Sequence, residues 1–289
     1  REATKHAVRR LYLLAGIADV QTNDPEAGYE GTLDALWESV HSEKLYITGG
    51  LGSRHRGEAF GDPYELPADR AYSETCAAIA NLHWNWRMLL LRGDSRYADE
   101  MERGLYNAIA VSTAIDGKSF FYSNPLQLRT GHDHEEDAPS SRLDWYACAC
   151  CPPNLARLLA SISGYVLTTT DDAAQFHLYA AGTYDLGDGV TATVDTKYPW
   201  DGRITIDLDR PSTAAIDLRV PAWAAGTAVL TVDDGAPSTP DVGYARVPAG
   251  ATRVVLTLPI EPVFERAHPW VDGARDALAL RRGPVYSAL

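Results

Sequence analysis

The chain changes texture once, between Thr168 and Ala174, and that change limits its fold more than any other feature. Before it, apolar residues recur at helical spacing. Thr4 to Val20 places Val8, Leu11, Ala15 and Ala18 on one stripe. Pro25 to Val40 does the same with Leu33, Leu36, Trp37 and Val40. Residues 77–92 carry Ile79, Leu82, Trp86, Leu89 and Leu90, and Gly93 ends that helix. Ser95 begins another, with Tyr97, Met101, Leu105 and Ile109. Pro153 opens a last one, where its missing N–H costs nothing, with Leu155, Leu158, Leu159 and Ile162 as its buried face. After the change come short β-rich runs at 176–179, 190–194, 203–208, 215–220, 228–232 and 253–258, punctuated by Gly, Pro and Asp. The expectation is an α plus β multidomain chain, helical over 1–170, with an antiparallel β-sandwich over 171–289. No internal repeat or low-complexity tract interrupts this plan.

Composition narrows the partners. The 289 residues are 45% hydrophobic and 22% charged, which suits a globular protein able to bury a sizeable core. A formal charge of -13 argues against nucleic acid and anionic membranes, and fits a neutral substrate such as a sugar. Seven Trp and fifteen Tyr suit sugar stacking, though most aromatic residues build ordinary cores. Apolar runs are too short for a membrane span, and no signal peptide is evident. Arg1-Glu2-Ala3 falls inside a helical pattern and Arg282 to Tyr286 inside a strand pattern, which suggests a piece of a longer chain.

Four cysteines are few for this length, yet three are crowded into Cys148-Ala149-Cys150-Cys151, followed by Pro152-Pro153-Asn154. The fourth is Cys76, in Glu74-Thr75-Cys76. Thiols gathered this way serve as metal ligands, redox pairs or nucleophiles. Sparse, clustered cysteine suits a reducing compartment better than a disulfide scaffold, so a cytoplasmic location is the expectation. On a regular helix Glu74 and Cys76 would point apart; to share a metal they must lie on an irregular lead-in to a helix at Ala77. Cys150 and Cys151 also precede a helix, whose N-terminus favours thiolate. Glu74, Cys76, Cys150 and Cys151 together make a tetrahedral zinc set. Cys148 is the spare, expected to pack as a small buried hydrophobe.

The long segments 47–67 and 127–148 are polar or Gly-rich, and loops of that length usually carry function. The glycines after Thr48 are weak evidence for phosphate binding, because no strand precedes them and no Gly-Lys-Ser/Thr follows. Glu58 in the same loop could act as a general acid if its surroundings raise its pKa. On the residues alone, a solvated loop glutamate is the simpler reading.

Gly57-Glu58-Ala59-Phe60, Glu74-Thr75-Cys76 and the Cys148 to Asn154 block, in this order and spacing, resemble the β-L-arabinofuranosidases of glycoside hydrolase family 127 and its sister family 146. His6-Ala7-Val8-Arg9 and Phe120 to Leu126 resemble the same family. The resemblance runs over nearly the whole chain. It implies the second half of an (α/α)6 helical barrel followed by β-sandwich sequence. It implies a retaining exo-glycosidase that releases terminal β-L-arabinofuranose, or a related furanoside, from plant-type glycans. It makes Cys150 the nucleophile, Glu58 the acid/base, and Glu74, Cys76, Cys150 and Cys151 the zinc ligands. It places His6, Glu102 and Tyr122 along the sugar subsite.

Plainer readings stand beside each role. His6 could be a hydrogen-bonded helix histidine, Glu102 a surface glutamate paired with a neighbouring arginine, and Tyr122 core. Trp84 and Trp86 are expected to pack the barrel. His132 and His134 lie in an acidic loop that suits solvent better than a metal. Two rival functions remain: a non-catalytic zinc–thiolate or carbohydrate-binding module, and a thiol-redox protein using Cys148 and Cys150. Glu58 is superfluous to both. The sandwich is a candidate surface for a homodimer.

Overall fold

The computed structural model describes residues 1–128 and 141–287. His132 and His134 lie outside them. Among the described residues, five α-helices come first: α1 (Ala7–Asn23), α2 (Glu30–Glu43), α3 (Thr75–Arg92), α4 (Ser95–Gly104) and α5 (Cys151–Ser161). Helix α4 runs on as a π-turn over Leu105–Ile109. Helix α3 is the axis of this half. It packs against α1, α4 and α5, and its Ile79, Leu82, Trp84 and Met88 are fully buried. Gly93 ends it in the left-handed conformation, satisfying the Leu89 carbonyl through its own N–H.

The stripes were too generous at two leucines: Leu90 and Leu159 are about half exposed, at 52% and 56%. Each sits beside a deeply buried neighbour, Leu89 and Leu158. The 100° step between successive residues turns them off the buried face.

Strands follow from Leu167. A four-stranded sheet has the order β1 (Leu167–Thr169), β2 (Ala173–Phe176), β6 (Ala215–Val220), β8 (Gly243–Val247). A five-stranded sheet has the order β3 (Gly182–Asp185), β4 (Thr191–Thr196), β5 (Arg203–Leu208), β9 (Arg253–Thr257), β7 (Val229–Val232). A third sheet is built from β10 (Pro262–Glu265), β11 (Ala279–Arg282) and β12 (Val285–Ser287). One pairing departs from the antiparallel expectation: β2 and β6 run parallel. The strand expected at 176–179 lies earlier, at Ala173–Phe176. After it, the backbone N–H groups of His177 and Leu178 turn to the Val166 carbonyl.

Buried side chains from helices and sheets form one contiguous core, from Ala3 to Leu258. A buried ionic cluster ties the two halves together. Arg219 of β6 is fully buried and donates to Asp99 (2.5 Å) and to Glu102, both on α4, and to the His177 carbonyl. Tyr198 Oη (2.6 Å) and Trp223 Nε1 (3.1 Å) also donate to Glu102. No helix among the described residues is long and apolar enough to cross a membrane.

Candidate active site

A second, smaller core gathers Tyr72, Cys76, Phe120, Tyr122, Tyr146 and Cys151, with Val8 and Cys150 packed against it. It forms where two helix starts meet. Glu74 is the N-cap of α3, with extended backbone (φ -70°, ψ 136°), and Cys76 lies in the helix's first turn. The lead-in therefore ends two residues earlier than the sequence suggests. The extended Glu74 still turns its side chain to the side of Cys76. Likewise α5 begins at Cys151, with Cys150 as its N-cap and the two prolines inside the first turn. That turn leaves backbone N–H groups free, so proline costs nothing there.

The close approach of neighbouring backbone explains the glycines after Thr48. A Cβ on Gly49 would stand 2.8 Å from the Gly104 Cα, and one on Gly50 2.2 Å from Ser73 Oγ. These glycines let the loop press against α4 and against the residue just before Glu74. On the other side, Glu74 bridges Ser123, and the Thr75 N–H bonds the Tyr122 carbonyl (3.0 Å). That register sets Tyr122 beside the cysteines.

The four residues singled out as ligands converge. Their donor atoms all lie within 4.8 Å of one another. Cys76 Sγ is 3.5 Å from Cys150 Sγ and 3.6 Å from Cys151 Sγ; the latter two are 3.8 Å apart. Glu74 Oε1 is 3.5 Å from Cys150 Sγ. All four cysteines are free thiols. A tetrahedral ion with metal–sulfur bonds of about 2.3 Å needs sulfur–sulfur edges of about 3.8 Å, so the set fits such an ion with small adjustment. Glu74 Oε2 is buried without a partner.

Charge inside the cluster is unbalanced. Burial, with Cys150 and Glu58 nearby, pushes the Glu74 carboxyl up to about 9. Hydrogen bonds from Cys151 and Cys76 pull the Cys150 thiol far down, helped by Tyr122, whose Oη is 3.6 Å away. The same sulfur contacts push Cys151 and Cys76 up. Among the three thiols, Cys150 is the one whose neighbours favour the thiolate. A cation among these donors would offset the cost of holding Glu74 and the thiols ionised.

Glu58 stands at the tip of a turn closed by its N–H to the His55 carbonyl (2.9 Å), and is itself left-handed (φ 50°). That conformation costs a non-glycine residue roughly 1–2 kcal/mol. Its carboxylate meets His6 Nε2 at 2.5 Å, and its carbonyl accepts from the Ala7 N–H. His6 is the N-cap of α1, so it stands just ahead of the helix.

One side chain differs from expectation. Cys148 is exposed rather than a buried hydrophobe. Glu102 is buried, but its hydrogen bonds go to Arg219, Tyr198 and Trp223, none of which belongs to the cysteine cluster. Tyr122 does reach the cluster, and is buried. Sequence reasoning missed Tyr72 and Tyr146, whose rings flank Tyr122 at 5.9 and 5.6 Å. Nothing in their spacing marks them out.

Known proteins share this arrangement of chain. The model for the GH127 β-L-arabinofuranosidase catalytic domain matches residues 1–164, and that for the GH127 middle domain matches 173–260. A non-reducing end β-L-arabinofuranosidase of Bifidobacterium longum subsp. longum is 35% identical over 99% of this chain and 46% of its own length. The crystal structure of a GH127 β-L-arabinofuranosidase from Geobacillus stearothermophilus T6 superposes with a TM-score of 0.90 at 38% identity, over 99% of this chain and 47% of that one. A second GH127 β-arabinofuranosidase gives 0.90 at 35% identity, over 99% and 48%. The chain thus spans about half the length of these relatives. It belongs to the GH127 β-L-arabinofuranosidase family.

Proposed function

We propose that the chain carries the nucleophile and the acid/base of a retaining exo-glycoside hydrolase that releases terminal β-L-arabinofuranose, or a related furanoside, from plant-type glycans. The observation that carries this reading is the convergence of Glu74, Cys76, Cys150 and Cys151 at two helix starts. Helices over 1–170 are read as part of an (α/α)6 barrel and the sheets over 171–289 as the β-sandwich region. The catalytic-domain match over 1–164 supports that division.

Glu74, Cys76, Cys150 and Cys151 would hold a zinc ion, which when bound keeps the thiolates ionised at neutral pH. Retaining hydrolysis needs a nucleophile on one face of the anomeric carbon and an acid on the other. Cys150 Sγ attacks the anomeric carbon while Glu58 protonates the departing oxygen. Carbon–oxygen cleavage leaves the sugar on sulfur as a glycosyl-cysteine. Glu58, now a carboxylate, takes a proton from water as that water attacks the same carbon and frees Cys150. His6 holds the Glu58 carboxyl throughout, and Tyr122 lies against the nucleophile. A metal site that only stapled loops would leave the strained, paired Glu58 without a task.

Turnover of p-nitrophenyl β-L-arabinofuranoside by the full-length protein tests this. Wild type should release nitrophenol, and Cys150→Ser should not. Full turnover by Cys150→Ser with zinc still bound would remove the nucleophile assignment.

A further inference from the structure

Tyr72 is nearly fully buried, yet its hydroxyl completes no hydrogen bond. A buried, unpaired hydroxyl costs free energy that a phenylalanine would avoid. Its surroundings show where it points. The ring meets His55, in the turn that carries Glu58, edge-on at 5.2 Å, and Tyr122, beside Cys150, at 5.9 Å. The hydroxyl faces Glu74, Tyr122 and Glu58, and Tyr122 and Glu58 stand near enough to interact with it, although neither closes a bond of good geometry. Gly52 packs under the ring: a Cβ there would lie 3.5 Å from Tyr72 Cδ1, and the Ser73 N–H bonds the Gly52 carbonyl (2.8 Å). The ring is therefore held from one side, with its hydroxyl toward Glu74, Tyr122 and Glu58.

We propose that Tyr72 is a substrate-contacting residue, whose hydroxyl donates to the furanose hydroxyl next to the anomeric carbon. This rests on the reaction proposed above. A sugar held between Cys150 and Glu58 places its anomeric carbon between them. The oxygen that a flanking donor meets first is that of the adjacent hydroxyl. Hydrogen bonds at that position strengthen as charge develops on the ring in the transition state. The free protein leaves the hydroxyl without a well-formed bond; the substrate supplies one.

Tyr72→Phe in the full-length protein tests this, because it keeps the ring and deletes only the hydroxyl. The expected result is a fall in kcat/KM on p-nitrophenyl β-L-arabinofuranoside of roughly 10- to 100-fold, a Tm unchanged or raised, and a penalty that disappears on the 2-deoxy substrate. Calorimetry with L-arabinose should show weaker binding by Tyr72→Phe. Undiminished kcat/KM and arabinose binding would overturn the inference, as would a lowered Tm or an equal penalty on the 2-deoxy substrate. If wild type binds arabinose through Tyr72 without turning over the glycoside, the reaction fails and the contact stands. If wild type does neither, both fall.

Discussion

Glu58 is placed at a cost that its surroundings sustain. Glu58 is left-handed at the tip of its turn, where glycine would fit without strain. Its contact with His6 and the backbone bond from Ala7 hold it there. As the acid/base it acts in both halves of the reaction. Glu58→Gln should therefore lower kcat by about 10²- to 10⁴-fold with the fold intact. A loss below tenfold, measured by steady-state kinetics with a circular-dichroism control, would move the role elsewhere. Motif spacing made Cys150, Cys151, Cys76 and Glu74 legible because liganding chemistry restricts residue type. Tyr72 was not legible: a tyrosine four residues before a cysteine carries no signal until its hydroxyl is seen without a partner. Cys148 was misjudged because crowding in sequence says nothing about which thiol faces solvent.

At the scale of elements, the site is two helix starts held face to face, α3 by its Glu74 cap and α5 by Cys150. A shared ion would tie those starts together. Chelation of zinc should therefore abolish turnover and lower Tm, and stoichiometric zinc should restore both. Metal analysis showing no zinc in fresh protein, with indifference to chelators, would remove the ligand set. The ionic cluster on α4 does comparable work between helices and sheets. Truncating Arg219 to Met strands the buried carboxylate of Glu102 and the largely buried Asp99. It should cost about 3–5 kcal/mol in denaturant unfolding; a change under about 1 kcal/mol would show that the cluster is dispensable. Strands β5 and β6 were legible, and their observed bounds match the runs at 203–208 and 215–220. In β5 threonine and isoleucine alternate. In β6 the polar Asp217 and Arg219 are buried as well, and that charged pair in an apolar strand was the overlooked sign of a contact with another element. Strand β8, Gly243–Val247, has only one β-branched residue, and pairing with β6 rather than propensity makes it a strand.

For the molecule as a whole, the change of texture near Thr168 to Ala174 fixed where helices give way to strands. It could not show that one core runs through both, because that depends on contacts between residues far apart in sequence. Nor could it show the parallel β2–β6 pair, since a strand's own pattern does not record its neighbour's direction. Three histidines, His177 buried and His41 and His83 partly buried, set a pH response. Burial lowers His41 to about 3 and His83 and His177 to about 4. Each folded-state value lies below the unfolded value of about 6.5, so unfolding takes up protons in that window. Their contribution is whole above about pH 6.5 and is lost as pH falls toward 4. Tm should begin to drop below pH 6.5, before carboxylates of ordinary pKa titrate; a Tm flat down to pH 5 would contradict this.

The central claim is that sulfur, not a carboxylate, takes the sugar. Peptide mass spectrometry of the full-length protein, quenched after reaction with a β-L-arabinofuranosyl inactivator, reads it directly. One pentosyl unit on the peptide containing Cys150, absent from Cys150→Ser, is the expected result. A pentosyl unit on Glu58, Glu74 or any other residue would contradict it.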